Sequence, residues 1–390
     1  MPFQGFELPD ELTLLRDTVR AFVQREVVAA ERSLRWDEVT LREEQVRELQ
    51  GKARAAGLWC FEVPQEYGGG GLNTFEHSVV LEEAVQHRTG LFEAAGGAFG
   101  RTPPNVLLAG AQEQVRRYVI PSVAEARRWF VAITEPSGGS DPARAIQTRA
   151  VRDGDDWVLN GRKLFSTGAD RAQHGIVYAR TDVGKGREGI SAFIIDSGTP
   201  GMEVRPVHVI RDRWTTEITF DDCRVPAEQM LGAPGQGFAL AQKWLVHGRV
   251  SIAAQSIGVA SKALAMATEY AKQRETFGAP LATRQAVQWM LADSAVELRA
   301  SRWLTWDAAW RDVEGREARY HASMAKLLAT EASYRVVDRS IQVHGGVGLT
   351  REMPLEGWLR ALRVWLVGEG PSEVHRMVIA RDLLSGNVPA

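Results

Sequence analysis

The period of the apolar residues changes twice along this chain. Leu8, Leu12, Leu15, Val19, Phe22 and Val23 recur every three or four positions, the spacing of one helix face. Pro9-Asp10 stands where that helix should begin. A second stripe, Val46, Leu49 and Ala53, stops at Gly57. Pro64 and the run Gly68–Gly71 exclude a helix over Val63–Leu72, which must be a loop. Helical texture resumes over 74–87 and 105–118. Over 128–232 the pattern becomes short β-rich runs and turns. Asp153-Gly154 between Arg149–Val151 and Trp157–Leu159 predicts a hairpin. Gly175–Ala179 and Ile190–Ile195 read as strands. In Trp214–Phe220, Thr216, Ile218 and Phe220 alternate with Thr215, Glu217 and Thr219, a half-buried strand pattern. Beyond 236 the helix spacing returns. Ile257, Ala260, Leu264, Ala267 and Ala271 share a face whose small side chains let neighbouring helices approach closely. Val287, Leu291, Ser294, Leu298 and Ser301 repeat similarly, and Gly345–Gly348 and Gly368–Pro371 interrupt the zone. The expected layout is a helical domain over 1–127, a β domain over 128–235 and a helical bundle over 236–390.

Charge and composition narrow the function. Lys and Arg number 47 against 49 Asp and Glu, a net charge of -2, which argues against a general nucleic-acid binder. Residues 351–390 hold Arg351, Arg360, Arg363, Arg376 and Arg381 against Glu352, Glu356, Glu369, Glu373 and Asp382, so no basic DNA-binding surface is expected there. With 44% hydrophobic and 25% charged residues the chain can build an ordinary core. Cys60 and Cys223 leave room for neither a disulfide framework nor a Cys-rich zinc site, and point to a reducing, cytoplasmic location. Glu7, Asp10 and Glu11 near the start argue against a targeting leader. No run of about 18 uncharged apolar residues exists, so no membrane span is expected. There is no Walker loop, no strand–G-x-G-x-x-G–helix unit, no G-x-S-x-G and no H-E-x-x-H. The eight histidines are scattered and read as ordinary surface or core residues rather than metal ligands.

Four segments carry candidate chemistry. In Phe130–Asp141 an apolar strand runs into a Gly-rich turn with Thr134 and Ser140, able to offer backbone N–H groups to an acceptor-rich ring or a phosphate; alone it also reads as a plain strand exit. Lys163–Gly168 sets the Phe165 ring beside the hydroxyls of Ser166 and Thr167, suited to one side of a planar cofactor. Arg274–Leu281, followed by Gln285, joins two long helices. Its Arg and Phe, three residues apart, suit a diphosphate and an adjacent ring, or a helix cap with a surface Arg. In Val364–Arg376, Glu369 follows an apolar run between two glycines. Burying a carboxylate is costly, and desolvation would raise its pKa towards neutrality, where it could transfer protons; an exposed turn acid is the alternative.

Taken together, the order and spacing of these segments resemble the acyl-CoA dehydrogenase family over nearly the whole chain. The resemblance is carried by T-E-P-x-x-G-S-D at 134–141, R-x-x-F-G-x-P-L at 274–281, Phe220–Pro226, Q-x-x-G-G at 342–346, and the Leu14–Arg20 and Val63–Gly69 segments. It implies an N-terminal helical domain, a middle β-barrel and a C-terminal four-helix bundle. It also implies bound FAD and a homotetramer built from dimers. Ala132, Ile133 and Thr134 would contact the flavin ring, with Phe165, Ser166 and Thr167 on its other side. Arg274, Phe277 and Gln285 would hold the FAD pyrophosphate and adenosine half of the neighbouring subunit, joined by Gln342, Gly345 and Gly346. Ser140 would sit near flavin or substrate, and Arg249 and Gly370 near the thioester. Glu369 would remove the α-proton of an acyl-CoA, or of an acyl-carrier thioester, while flavin takes the β-hydride. An electron-transfer flavoprotein would then reoxidise the flavin. A flavin oxidase or monooxygenase on the same fold is the alternative. Four departures stand out. Gly370-Pro371-Ser372-Glu373 replaces the usual Gly-Thr-x-Gln, as in a Gly-Pro-x-Glu-Val-His branch; Phe165 stands for a stacking Trp, Gly168 for Asn, and Gly248 leaves no second base. Thr89–Pro104, with Phe92, Glu93 and Phe99, is expected to form the floor of the acyl pocket.

Overall fold

The computed structural model describes residues 7–211 and 215–386; Trp214, at the start of one expected strand, lies outside them. Packing gathers the chain into two compact units. One holds Met1–Glu62, Leu72–Phe99 and His247–Ala390; the other holds Val63–Gly71 and Gly100–Val246.

The first unit is helical. Helix α1 (Asp10–Phe22) begins directly after Pro9, with Asp10 and Glu11 in the first turn, where the helix dipole favours negative charge. Leu12, Val19 and Phe22 of the predicted stripe are buried. The axis continues through a wider turn at Val23–Val27. Helix α2 (Glu43–Ala55) buries Val46, Leu49 and Ala53. Helix α3 (Thr74–Ala84) is capped by Asn73, whose side chain accepts from the Glu76 N–H at 3.0 Å while the Glu76 carboxylate accepts from the Asn73 N–H at 3.1 Å. Four longer or later helices follow the β region: α4 (Gly237–Gln273), α5 (Gln285–Val313), α6 (Arg319–His344) and α7 (Leu355–Trp365), with α8 (Ser372–Leu384) closing the chain. Ile257, Ala260, Ala267 and Ala271 of the predicted small-residue face of α4 are buried, the last two packed with Val343 of α6. On another side of the same helix a Cβ at Gly258 would lie 2.3 Å from the Glu82 carbonyl oxygen of α3, so only glycine fits. Helix α4 is also long and apolar enough to cross a membrane, which the sequence reading did not foresee. Its apolar window is 61% buried within the protein, as a core helix requires. Phe99 packs in the core against Phe22 and Phe61, with ring centroids 5.3 and 5.1 Å away.

The second unit is built on one eight-stranded sheet. Its strands are β1 (Trp129–Ala132), β2 (Arg149–Asp153), β3 (Asp156–Ser166), β4 (His174–Arg180), β5 (Ile190–Asp196), β6 (Met202–Val207), β7 (Thr215–Pro226) and β8 (Met230–Leu231). They run β6-β7-β3-β2-β4-β5-β8, with β1 parallel to β4. The predicted hairpin joins β2 to β3 with Asp153 opposite Asp156 and Gly154 in the left-handed region. On β7, Thr216, Ile218 and Phe220 are buried while Glu217 and Thr219 are half-buried. Gly175 of β4 faces Phe130 of β1, and a Cβ there would lie 2.0 Å from the Phe130 ring. Residues 105–118 are not one helix. A short 3-10 turn (Asn105–Ala109) ends at Gly110, and the next helix starts at Gln112. Gln114 anchors that start by donating to the carbonyls of Glu228 and Met230, each at 2.8 Å.

A buried ion pair fixes the exit of β1. Lys163 Nζ donates to Glu135 Oε1 at 2.7 Å and to the Ile133 carbonyl at 3.2 Å. Glu135 also accepts from the backbone N–H groups of Gln147 and Thr148, at 2.6 and 3.0 Å. Replacing Glu135 by Ala leaves Lys163 buried without its counter-charge. The expected loss is about 3–5 kcal/mol of stability of this unit, measured by urea denaturation.

Candidate active site

In the second unit the structure brings two predicted segments side by side. Ala132, Ile133 and Thr134 leave β1 and run along the end of β3, where the Leu164 N–H donates to the Thr134 carbonyl at 2.8 Å. Phe165 takes a left-handed φ of 60° and turns its ring outwards, 54% exposed. Ser166 is buried with an unpartnered hydroxyl, and Thr167 accepts from Arg211 at 3.3 Å. Ser140 is exposed in the turn after Gly139, whose missing Cβ leaves room for Thr134. An open aromatic face, an orphan hydroxyl and a strand-end turn are the donor set that a flavin ring requires. Burial pushes Lys163 down to about 8 against the pull of Glu135. Burial raises Glu135, but Lys163 and the two N–H donors more than offset that and hold it below the usual carboxylate range.

The first unit carries the remaining residues in two places. At the first, Glu275–Thr276 pairs with Ala279–Pro280 across Phe277-Gly278, both with positive φ, a two-residue hairpin of the mirror-image type. That turn leaves Phe277 98% exposed beneath the Arg284 guanidinium at 5.8 Å, and Arg274 and Gln285 exposed beside it. Gln342 is exposed near the end of α6, and a Cβ on Gly345 or Gly346 would meet nothing within 4 Å. These two turns share a small core in which Ala267, Ala271 and Val343 pack against Leu281 and Val287. Exposed guanidinium, amide and bare glycine backbone fit a diphosphate and its sugar.

At the second place Arg249, Glu369 and Gly370 converge. After α7 the chain turns through Glu369 at φ 56° and Gly370 at φ 98°. A left-handed non-glycine costs about 1 kcal/mol or more and marks a conformation that its surroundings impose. The Glu369 carboxyl is half-buried and lies over Gly248 of α4, 3.6 Å from where a Cβ would stand. Burial pushes its pKa up to about 7, while Arg249 and Lys326 pull it down. Arg249 is buried, with Nη1 donating to Ser323 at 3.3 Å. Lys326, fully buried on α6, donates to the Gly370 carbonyl at 2.7 Å, and burial lowers it to about 8. The His375 ring lies against Gly370, and burial first, then Arg249 and Lys326, depress it to about 3. Such a group is a carboxylate that can exchange a proton near neutrality.

Comparisons with known proteins give the family. Family models describing the acyl-CoA dehydrogenase N-terminal, middle and C-terminal domains cover residues 9–126, 131–223 and 235–384. The chain belongs to the acyl-CoA dehydrogenase family. It is 37% identical over 389 residues to the human short-chain specific acyl-CoA dehydrogenase, covering 98% of this chain and 92% of that protein. Butyryl-CoA dehydrogenase from Megasphaera elsdenii superposes with a TM-score of 0.86 at 31% identity, over 97% of this chain and all of that one. A chain solved in work on the electron transferring flavoprotein of Acidaminococcus fermentans and flavin-based electron bifurcation also gives 0.86, at 34% identity over 97% and 99% of the two chains. As an acyl-CoA dehydrogenase the protein is an FAD-dependent oxidoreductase with the family's helical, sheet and helical segments.

Sequence reasoning passed over Lys326, Ser323 and His375. The signal was present for the first. Ala322, Lys326, Ala329 and Ser333 share the helix spacing, so a lysine sits in an otherwise small and apolar stripe. All four are buried. In this acyl-CoA dehydrogenase the acid limb of kcat/KM is expected near pH 7, above the ordinary Glu value of 4.5. Below it the Glu369 carboxyl is protonated, and activity is expected to fall; a steady-state pH profile checks the position.

Proposed function

We propose that Glu369 is the base that removes the α-proton of an acyl-CoA, giving a trans-2-enoyl thioester. The observation that supports this most directly is the half-buried carboxyl on a left-handed turn, set between buried cations and titrating near neutrality. Its own backbone N–H is to donate to the thioester carbonyl, which stabilises developing enolate charge and acidifies the α-proton. Arg249 and Gly370 shape the thioester side of the base, and Ser140 serves the substrate or cofactor end of the Gly-rich turn. Ala132, Ile133, Thr134, Phe165, Ser166 and Thr167 would hold the flavin ring; Arg274, Phe277, Gln285, Gln342, Gly345 and Gly346 would hold the pyrophosphate and adenosine half of a neighbouring subunit's cofactor. Bound FAD supplies the hydride acceptor. The 98% exposure of Phe277 supports the oligomeric part of this reading, because an aromatic side chain at the tip of a strained hairpin needs a surface to cover it. A homotetramer made of two dimers would supply that surface. An electron-transfer flavoprotein is the proposed acceptor, in line with the Acidaminococcus relative. Buried, unoxidised Cys60 and Cys223 suit the cytoplasm.

Glu369→Gln is expected to retain FAD and lose at least about 10²–10⁴-fold in the rate of anaerobic flavin bleaching by acyl-CoA. Bleaching at the wild-type rate would place the base elsewhere. Arg274→Ala is expected to weaken FAD retention, seen as loss of the yellow cofactor on gel filtration, while denaturation of the apoprotein is unchanged within about 0.5 kcal/mol. Reduced enzyme should reoxidise slowly in air and rapidly with an electron-transfer flavoprotein. The reverse order would favour an oxidase.

A further inference from the structure

A fully buried lysine has few reasons to exist, and Lys326 has one visible partner, the Gly370 carbonyl oxygen at 2.7 Å. That carbonyl belongs to the second of the two left-handed residues that turn the chain at Glu369. The contact ties the turn to α6 across 44 residues of sequence. Backbone bonds flank it on either side: the Gly368 N–H donates to the Val364 carbonyl at 2.8 Å, and the Ser372 N–H donates to the Leu366 carbonyl at 3.2 Å. Neither engages the Gly370 carbonyl, whose side-chain donor comes from α6. An ammonium group used for this purpose also brings a buried positive charge to the turn that carries the carboxylate. A neutral donor would make the same hydrogen bond without that charge, at a lower desolvation cost.

We propose that Lys326 is the positioning residue of the base: its ammonium group, bonded to the Gly370 carbonyl, holds the turn that carries Glu369 in the left-handed conformation and sets a buried positive charge beside it. This rests on Glu369 being the base. Every charged or titratable group facing the carboxylate enters the balance. Arg249 approaches from α4, Lys326 from α6, and neutral His375 from α8. Glu331 of α6 and Glu373 of α8 act on Lys326, and Arg319 of α6 acts on Arg249. Arg249 alone leaves one cation against the desolvation of the acid. Without Lys326 the carboxyl therefore titrates higher, and less of it is ionised at pH 7.

The test compares wild type, Lys326→Gln, Lys326→Met and Glu369→Gln as FAD-loaded enzymes, with kcat/KM followed from pH 5.5 to 9. Lys326→Gln keeps a donor for the Gly370 carbonyl and removes only charge. Its acid limb is expected to rise by about 1 unit, with kcat/KM at pH 7 falling about fivefold and recovering at pH 9. Lys326→Met loses donor and charge, so the limb rises similarly but the high-pH plateau stays depressed. An unshifted limb in Lys326→Gln overturns the proposal. So does a Lys326→Gln protein that is insoluble or holds no flavin, which would assign the lysine to folding. Glu369→Gln separates the two claims. If it stays active, the assignment of the base fails; if it is inactive while Lys326→Gln keeps the wild-type limb, only the role of Lys326 fails.

Discussion

A carboxylate must be taken partly out of water without being neutralised, and the rest of the site follows from that constraint. For the role proposed for Glu369, a solvated glutamate is too weak a base for the α-proton of a thioester, and a fully desolvated, unpaired one would simply stay protonated. The chain meets both limits with a half-buried acid and two buried cations supplied by separate helices. Neither cation forms a contact ion pair with it. Arg249 bonds to Ser323 and Lys326 to a backbone carbonyl, so the positive field is present while the carboxylate oxygens stay available. A direct salt bridge would have driven the pKa down and removed the base from use.

The sheet unit holds a buried charged pair of its own. Glu135 and Lys163 form a sealed pair whose remaining bonds run to the backbone of residues 133, 147 and 148. That pair does no acid–base work. It fixes the exit of β1 against the end of β3, which sets where Ile133, Thr134 and the outward ring of Phe165 stand. Buried charge in both units thus serves to hold backbone in conformations that hydrophobic packing alone does not specify.

Helix and strand existence was legible in the sequence because periodicity reports which face is buried. The stripe from Leu12 to Val23, the hairpin at Gly154 and the alternation on β7 follow directly from it. Residues 105–118 were not legible, because a Gly110 break stabilised by the Gln114 side chain is a tertiary effect that local spacing does not carry. The packing of Phe99 against Phe22 and Phe61 was not legible for a related reason, since it depends on partners far away in the sequence. At the candidate site, motif order pointed to Glu369 and Arg249, which the structure brings together. The support beneath them came from α6, whose lysine looks like any other charged residue until the helix face it occupies is known. Glu135 was visible only as a letter in a motif, and its partner lay 28 positions away.

The two enclosed lysines carry a chemical consequence of their own. Amines that titrate near 8 are in part unprotonated at neutral pH, and free amines are nucleophiles towards thioesters. A protein that spends its life handling activated acyl groups would be expected to acylate itself at such positions. Lys163 and Lys326 have no solvent-accessible surface, and each nitrogen is already engaged by an oxygen acceptor. Burial, which makes these amines reactive in principle, also denies them any electrophile.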